Sequence, residues 1–310
     1  MRFRALTVGL LAAGCLFGNV SCLQGTKEKT TIAVVPKVDD ASVAAAKAVA
    51  LAASDTYDIQ VRWDVSRNPT AESQIELIEK LVSAGVDGIL ISCIDADGVR
   101  AAIDKAVQAG VKVGTFDSDC PESSRSFYIG SDNEAAGTLA ATTLQSLCDE
   151  AGRPATGIGL FGGVAGDTAM QARLKNFLTV VPDTAALVWS GDVVSTGATQ
   201  VTDFLTENAT LPVNGVVFLS SSAVVNGPGS IERLDSLCRP TTDNEGAAAA
   251  AVFFDTSDEI ISFVQARPHC AAIRQDFESM VTGGIDRLMK AIRNESFGET
   301  ITYTPVETIR

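Results

Sequence analysis

From Thr30 onward, short β-branched apolar runs alternate with longer stretches of helical periodicity, and that alternation leaves few folds open to the chain. The runs are Thr31 to Val35, Ile59 to Trp63, Gly88 to Ser92, Val111 to Phe116, Gly157 to Phe161, Ala186 to Trp189, Gly215 to Leu219 and Ala250 to Phe254. Each is apolar almost without interruption, the pattern of a strand covered on both faces. Between them lie single-striped helices, such as Ala71 to Ala84 with Ile75, Ile78, Leu81 and Val82 on one side, and Gly98 to Ala109 with Val99, Ile103, Ala106 and Val107. Both stop at Ala-Gly-Val, where Gly85 and Gly110 supply the left-handed residue that ends a helix before the next strand.

Repeated β-α units build open parallel sheets through right-handed crossovers. The expected class is therefore α/β, with two doubly wound parallel-sheet lobes. There are more units than one sheet comfortably holds, and 310 residues suit about two domains. No Pro/Ser-rich linker divides the chain, which a chain crossing several times between two sheets would not need. In such sheets ligands bind beyond the carboxyl ends of the strands, so those ends are where chemistry is sought.

The first residues differ from the rest. Arg2 and Arg4 precede an uncharged apolar run from Leu6 to Val20, too short to span a bilayer comfortably but suited to an export signal. Small residues lie before Cys15 and before Cys22, and lipid attachment is expected at Cys22, with Cys15 as the alternative. Losing Met1 to Ser21 removes two of the 24 basic residues and no acidic ones, leaving 22 against 38, a net charge of −16. Such acidity argues against nucleic acid as a partner and favours a neutral or cationic solute. Contact with the membrane is expected only through the lipid. Cys93, Cys120, Cys148, Cys238 and Cys270 lie beyond the signal, an odd number without a Cys-x-x-Cys site; in an oxidising compartment some could pair. The single His269 has no ligand-spaced partner, so neither a metal nor a cofactor is expected.

Polar side chains crowd the strand ends: Pro36-Lys-Val-Asp-Asp40, Ser92-Cys-Ile-Asp-Ala-Asp97 and Phe116-Asp-Ser-Asp-Cys120. A lone acid after a strand usually caps the next helix, which is the simpler reading of Asp95 and Asp97. Asp117 differs, because a turn and a short strand follow it rather than a helix.

Thr115-Phe-Asp-Ser-Asp119, Phe127-Tyr-Ile-Gly-Ser-Asp-Asn133-Glu-Ala-Ala-Gly137 and Ala84-Gly-Val-Asp-Gly-Ile-Leu90 together resemble the ribose-binding branch of the periplasmic sugar-binding proteins, and the resemblance extends over the mature chain. It implies two lobes joined by three crossovers, placed near Ser131 to Asn133, Phe254-Asp255 and Thr282 to Gly284. After a 1–22 signal segment and a 23–29 linker, the N-terminal lobe would comprise 30–131 plus 255–283, and the C-terminal lobe 132–254 plus 284–310. By the same resemblance Asp117 and Asp255 accept sugar hydroxyls, Gln275 adds a far-lobe contact, Arg173 takes the sugar-binding arginine position and Gln171 an alternative one, while Ser131 stands at the first crossover.

Other positions depart from the pattern. Asp40-Ala-Ser-Val43 stands where ribose binders carry an asparagine and paired phenylalanines, Ser92 replaces an asparagine, and Ser220-Ser221-Ser222 replaces an asparagine-aspartate pair. Stacking on aromatic faces supplies much of a sugar site's apolar grip, so ribose itself is not the expected ligand. Asp40, Ser92 and Ser221 nevertheless remain candidate contacts. The resemblance implies a monomer that hands a small sugar-like ligand to the permease of an ABC importer. A chemoreceptor or sensor-kinase ligand role is the alternative, and a carbohydrate-active enzyme built on acids such as Asp117 and Asp119 a remote one. No Gly-x-Ser-x-Gly elbow or Gly-Lys-Ser/Thr phosphate loop supports catalysis, and no basic helix-turn-helix precedes the first strand.

Overall fold

The computed structural model describes residues 29–162, 166–181, 186–191, 201, 204, 206, 213–220, 224, 229–238 and 249–310. Cys15, Cys22 and Ser221 lie outside the described residues.

The chain first lays down β1 (Thr31–Val35), α1 (Ala44–Tyr57), β2 (Gln60–Trp63), α2 (Ala71–Ser83), β3 (Gly88–Ile91), α3 (Ala96–Gln108), β4 (Lys112–Phe116) and β5 (Tyr128–Ser131). A second series follows: α4 (Asn133–Glu150), β6 (Gly157–Phe161), α5 (Thr168–Val180), β7 (Ala186–Gly191), β8 (Gly215–Phe218), α6 (Ser230–Cys238), β9 (Ala250–Phe254), α7 (Asp258–Gln265) and β10 (Cys270–Gln275). Then α8 (Phe277–Ile292) leads back to β11 (Ile301–Thr304), and β12 (Val306–Ile309) ends the chain. The helix starts show why these boundaries fall where they do. Asp95 caps α3 by accepting from the Gly98 N–H, two residues earlier than periodicity placed the start, and Gly85 and Gly110 take the left-handed conformation after α2 and α3 (φ 75° and 94°).

Among the described residues the strands form two six-stranded sheets, ordered β11-β5-β4-β3-β1-β2 and β12-β10-β9-β8-β6-β7. All pairings are parallel except the β10–β12 edge, which is antiparallel. Both faces of each sheet are buried. Leu90 and Phe116 face one apolar cluster of the N-terminal lobe and Ile89 and Ile91 the other, and Phe218 and Val217 divide the C-terminal lobe in the same way. Each fully buried Leu, Ile or Phe contributes roughly 1.5–3 kcal/mol, which is why these strands are apolar throughout.

The two sheets repeat one plan, strand for strand, so that β4 corresponds to β9, β5 to β10 and β3 to β8. Even single hydrogen bonds repeat: Asp117 N donates to Ile129 O (3.1 Å) and Asp255 N to Ile273 O (2.9 Å), while Ser92 N donates to Val35 O and Leu219 N to Phe161 O, both at 2.9 Å.

Two of the three expected crossovers move. The first does fall between β5 and α4, at Ser131 to Asn133. The second is at Asp276 rather than at Phe254-Asp255, because β9 is an interior strand and α7 returns the chain to β10 beside it in the same sheet. The third is at Pro305, between β11 and β12, whereas Thr282 to Gly284 lies inside α8. The cause is the apolar stripe of α8: Phe277, Met280, Val281, Ile285 and Leu288 pack on the N-terminal sheet as a unit, so the helix cannot be divided between lobes. The N-terminal lobe is therefore 30–131 plus 277–304, and the C-terminal lobe 133–275 plus 306–310.

Candidate functional site

The carboxyl ends of the two sheets face one another, and there the candidate residues gather. Asp117 and Asp255 follow equivalent strands, β4 and β9, and both adopt the left-handed backbone conformation, with φ of 58° and 68°. Among residues with a Cβ, Asp and Asn tolerate this region best, and strain of this kind concentrates at functional sites. The sharp turn lets the main chain keep its bond to the next strand while the carboxylate is presented at the strand end.

Asp117 is buried and doubly engaged: the Ser92 hydroxyl donates to its Oδ2 at 2.7 Å, and the Lys37 ammonium stands 3.1 Å from the same oxygen. Ser92 is itself held from below, because buried Gln74 donates to its carbonyl at 2.9 Å and accepts from Ile94 N at 3.0 Å. Asp255 is bonded by the Gln275 amide at 2.6 Å. Burial pushes the Asp255 carboxyl above its ordinary range, and the nearby Arg173 charge and the Gln275 bond only partly offset that.

Arg173 is 2% exposed, a burial that requires partners. Its Nε donates to Asn133 Oδ1 at 2.8 Å, its Nη1 to Leu219 O at 3.0 Å, and its guanidinium lies 3.9 Å from the centre of the Phe254 ring. Gly137 makes that position possible: a Cβ there would come within 2.3 Å of the Arg173 carbonyl, so only glycine lets α4 and α5 approach this closely. Gln171, two residues earlier on α5, is exposed, and the helix turns Arg173 inward in its place.

Four polar atoms around this cleft are buried without a hydrogen-bond partner among the described residues: Arg173 Nη2, Gln275 Oε1, Ser131 Oγ and Asp40 Oδ2. The other oxygen of Asp40 accepts from Ser42 N and Oγ at the start of a 3-10 turn. Unpartnered buried groups cost roughly 1–3 kcal/mol each, and those of Arg173 and Gln275, the two residues that act on Asp255, are open to a ligand that would satisfy them. Beside them a groove of about 600 Å³ runs between Ala41 and Ser42 on one lobe and Thr256, Ser257 and Gln275 on the other.

The lobes also touch directly. Asp167 caps α5 through Ala169 N and Met170 N, accepts from Ser118 Oγ at 2.7 Å, and accepts from Lys37 Nζ at 2.6 Å. Lys37 donates to Ser118 Oγ as well, at 2.6 Å. Ala96 N donates to Gly166 O and Thr168 Oγ1 to Asp119 O, each at 3.0 Å. A side chain at Gly166 would collide with the Asp95 carboxylate, its Cβ only 2.2 Å from Asp95 Cγ. For Asp167, burial alone would push the carboxyl up; the Lys37 charge and hydrogen bond and the Ser118 bond outweigh it and hold the group below its ordinary range. Burial would lower Lys37, and the charges of Asp117 and Asp167 raise it instead.

Sequence reasoning passed over Lys37, Ser118, Asp167 and Asn133 as ligand-cleft residues. Lys37 carried the one available signal, a lone cation in a strand-end segment with two acids. Asp119 is drawn the other way: it pairs with Arg125 and accepts from Thr115 Oγ1 at 2.6 Å within its own lobe. Trp63 packs against the N-terminal core and donates to Asp39 Oδ1 at 3.0 Å. Among the described residues no three His, Cys, Asp or Glu side chains are placed to hold a metal ion, and no helix is long and apolar enough to cross a membrane.

Two α/β lobes with facing strand ends, an aspartate on each and polar bridges between them, define a two-lobed ligand-binding protein in a closed conformation. The chain belongs to the family described as Periplasmic binding protein domain, whose model matches residues 32–296. It is 28% identical over 144 residues to the D-xylose-binding periplasmic protein of Escherichia coli (strain K12), covering 46% of this chain and 41% of that protein. It is 29% identical over 107 residues to the ribose import binding protein RbsB of Bacillus subtilis (strain 168), covering 34% of each. The matched stretches thus span less than half the length of either relative. In fold it is similar to a crystal structure of an ABC transporter solute-binding protein from Burkholderia graminis C4D1M in complex with D-arabinose, with a TM-score of 0.79, 24% identity, and 91% of this chain and 95% of that one covered.

Proposed function

We propose that this chain is the solute-binding component of an ABC importer, capturing a small neutral sugar or polyol between its lobes and delivering it to a membrane permease. The observation that carries this reading is the pair of buried, unpartnered polar atoms on Arg173 and Gln275 beside the buried Asp255 carboxylate, with Asp117 of the other lobe facing it. Vicinal hydroxyls can donate to carboxylate oxygens and accept from a guanidinium at once, and each charge-assisted bond contributes roughly 1.5–3 kcal/mol. The names of the relatives, which refer to xylose, ribose and arabinose, agree with that chemistry.

Ligand seated against Asp117 and Ser92 in one lobe and Arg173, Asp255 and Gln275 in the other favours the closed state because it contacts both. Lys37, Ser118 and Asp167 support the same closure from the protein side. Calorimetry with pentoses, hexoses, polyols and amino sugars tests the reading: micromolar binding of at least one neutral polyol is expected, and heat only from amino acids or charged solutes would sink it.

The N-terminal segment supports export to the cell envelope with a lipid on Cys22, or on Cys15. Palmitate labelling of a Cys22→Ser variant decides this: loss of label is expected, and retained label moves the anchor to Cys15.

A further inference from the structure

Four of the five described cysteines meet in two pairs, one in each lobe. Cys93 follows β3 and Cys120 follows Asp119; both are 1% exposed and share one apolar cluster. Cys93 N donates to Ser118 O at 3.0 Å, which draws the two loops together, and Cys120 Sγ donates to Ala96 O at 3.0 Å, so the two thiols are neighbours in that cluster. In the other lobe Cys238 ends α6 and Cys270 opens β10, 2% and 1% exposed within one apolar cluster. Ala249 N donates to Leu237 O at 2.6 Å and Cys270 lies opposite Ala251 in the sheet, which brings the end of α6 to the foot of β10. Cys148 lies in a different cluster, directed at Asn214 O at 3.7 Å.

A buried cysteine alone is an ordinary small apolar residue. Two neighbouring pairs in equivalent lobes of a chain with an export signal are a different pattern. The structure holds all five as free thiols; we propose that Cys93–Cys120 and Cys238–Cys270 form one disulfide in each lobe when the chain folds outside the cytoplasm, leaving Cys148 unpaired.

The step is thiol–disulfide exchange with a disulfide-bearing oxidant. One thiolate of the pair attacks it, forming a mixed disulfide and freeing one oxidant sulfur; the second thiolate attacks the protein-side sulfur of that mixed disulfide and expels the other, so the two electrons and two protons leave on the oxidant as a dithiol. Exchange precedes burial, because once the chain is folded all four thiols are only 1–2% exposed and closed to an oxidant.

The two bonds have different consequences. Cys93 is the neighbour of Ser92, and Cys120 closes the loop carrying Asp117, Ser118 and Asp119, so the first bond braces the N-terminal half of the cleft. Cys270 sits at the opposite end of its strand from Gln275, so the second bond braces only the fold.

Full-length protein exported with its own N-terminus is recovered from the cell envelope, alkylated under denaturing conditions without reductant, and peptide-mapped. Among cysteines beyond residue 29, label on Cys148 alone is expected, with Cys93–Cys120 and Cys238–Cys270 peptides linked. Label on either pair overturns the bond in that lobe, and any linkage through Cys148 overturns the assignment. Reductant should lower the melting temperature by roughly 5–15 °C. It should also weaken sugar binding in a C238S/C270S variant but not in a C93S/C120S variant; the reverse pattern would refute the division of roles.

Discussion

Asp117 and Asp255 occupy the same place in two copies of one plan, on equivalent strands with the same left-handed backbone and the same main-chain bond to the neighbouring strand, yet their surroundings differ. Asp117 stands in a dense ionic network with Ser92 and Lys37, reaching through Lys37 and Ser118 to Asp167 of the other lobe. Among the described residues Asp255 has a single side-chain hydrogen bond, from Gln275, and burial pushes its carboxyl up. Duplicated architecture thus fixes where a carboxylate is presented, and non-equivalent neighbours decide what it costs and what it does. Asp117 is tied into the contacts between the lobes, and Asp255 to Gln275 of its own lobe.

Asp117→Ala should have the largest effect, because it removes a proposed ligand acceptor and one of the two carboxylates that neutralise the half-buried Lys37. Affinity for the sugar that binds the wild-type protein should fall at least about 100-fold, and the unfolding free energy by about 2 kcal/mol, measured by calorimetry and urea denaturation. Asp255→Asn should be milder and confined to binding: about a 10-fold loss of affinity with unfolding free energy unchanged or raised, because a carboxylate disfavoured by burial is replaced by a neutral group. Equal destabilisation by the two substitutions would break the comparison.

The smallest effect is on pH. Asp167 is held low, so its contribution to closure is complete above the unfolded carboxylate value of about 4 and is lost as pH falls through its folded value. Lys37 is held high, so its contribution is complete below the unfolded lysine value of about 10.4 and is lost only as pH rises through its folded value. Small-angle scattering of the ligand-free protein should show the most compact form between those limits and a modest expansion on acidification. Compaction on acidification would remove Lys37–Asp167 from the account of closure.

Much of the fold could be read in advance, because local chemistry carries it. The limits of β1, β6 and β9 coincide with their apolar runs, and Gly85 and Gly110 mark helix ends by a conformation few other residues adopt. The lobe boundaries were less legible. Asp255 and Asp276 both follow strands and precede helices, and only the apolar stripe of α8 meeting the N-terminal sheet decides which of the two strand ends is a crossover.

The site divides in the same way. Asp117 stands out as a candidate by its strand-end position, and Arg173, Asp255 and Gln275 are candidates only through motifs that resemble the sugar-binding family, with Ser92 a departure from that pattern; all are properties of short segments. Lys37 and Asp167 are not, since a lysine after one strand and a helix cap 130 residues later have nothing in common until two lobes close on one another. The cysteines behave alike: four of the five scattered thiols come together two by two only when α6 meets β10 and two loops meet above β3 and β4. Hydrophobic periodicity and capping are written over a few residues and determine the elements and the ends from which chemistry is offered. Which distant charges and thiols face each other depends on packing across hundreds of residues, and the tertiary structure alone decides it.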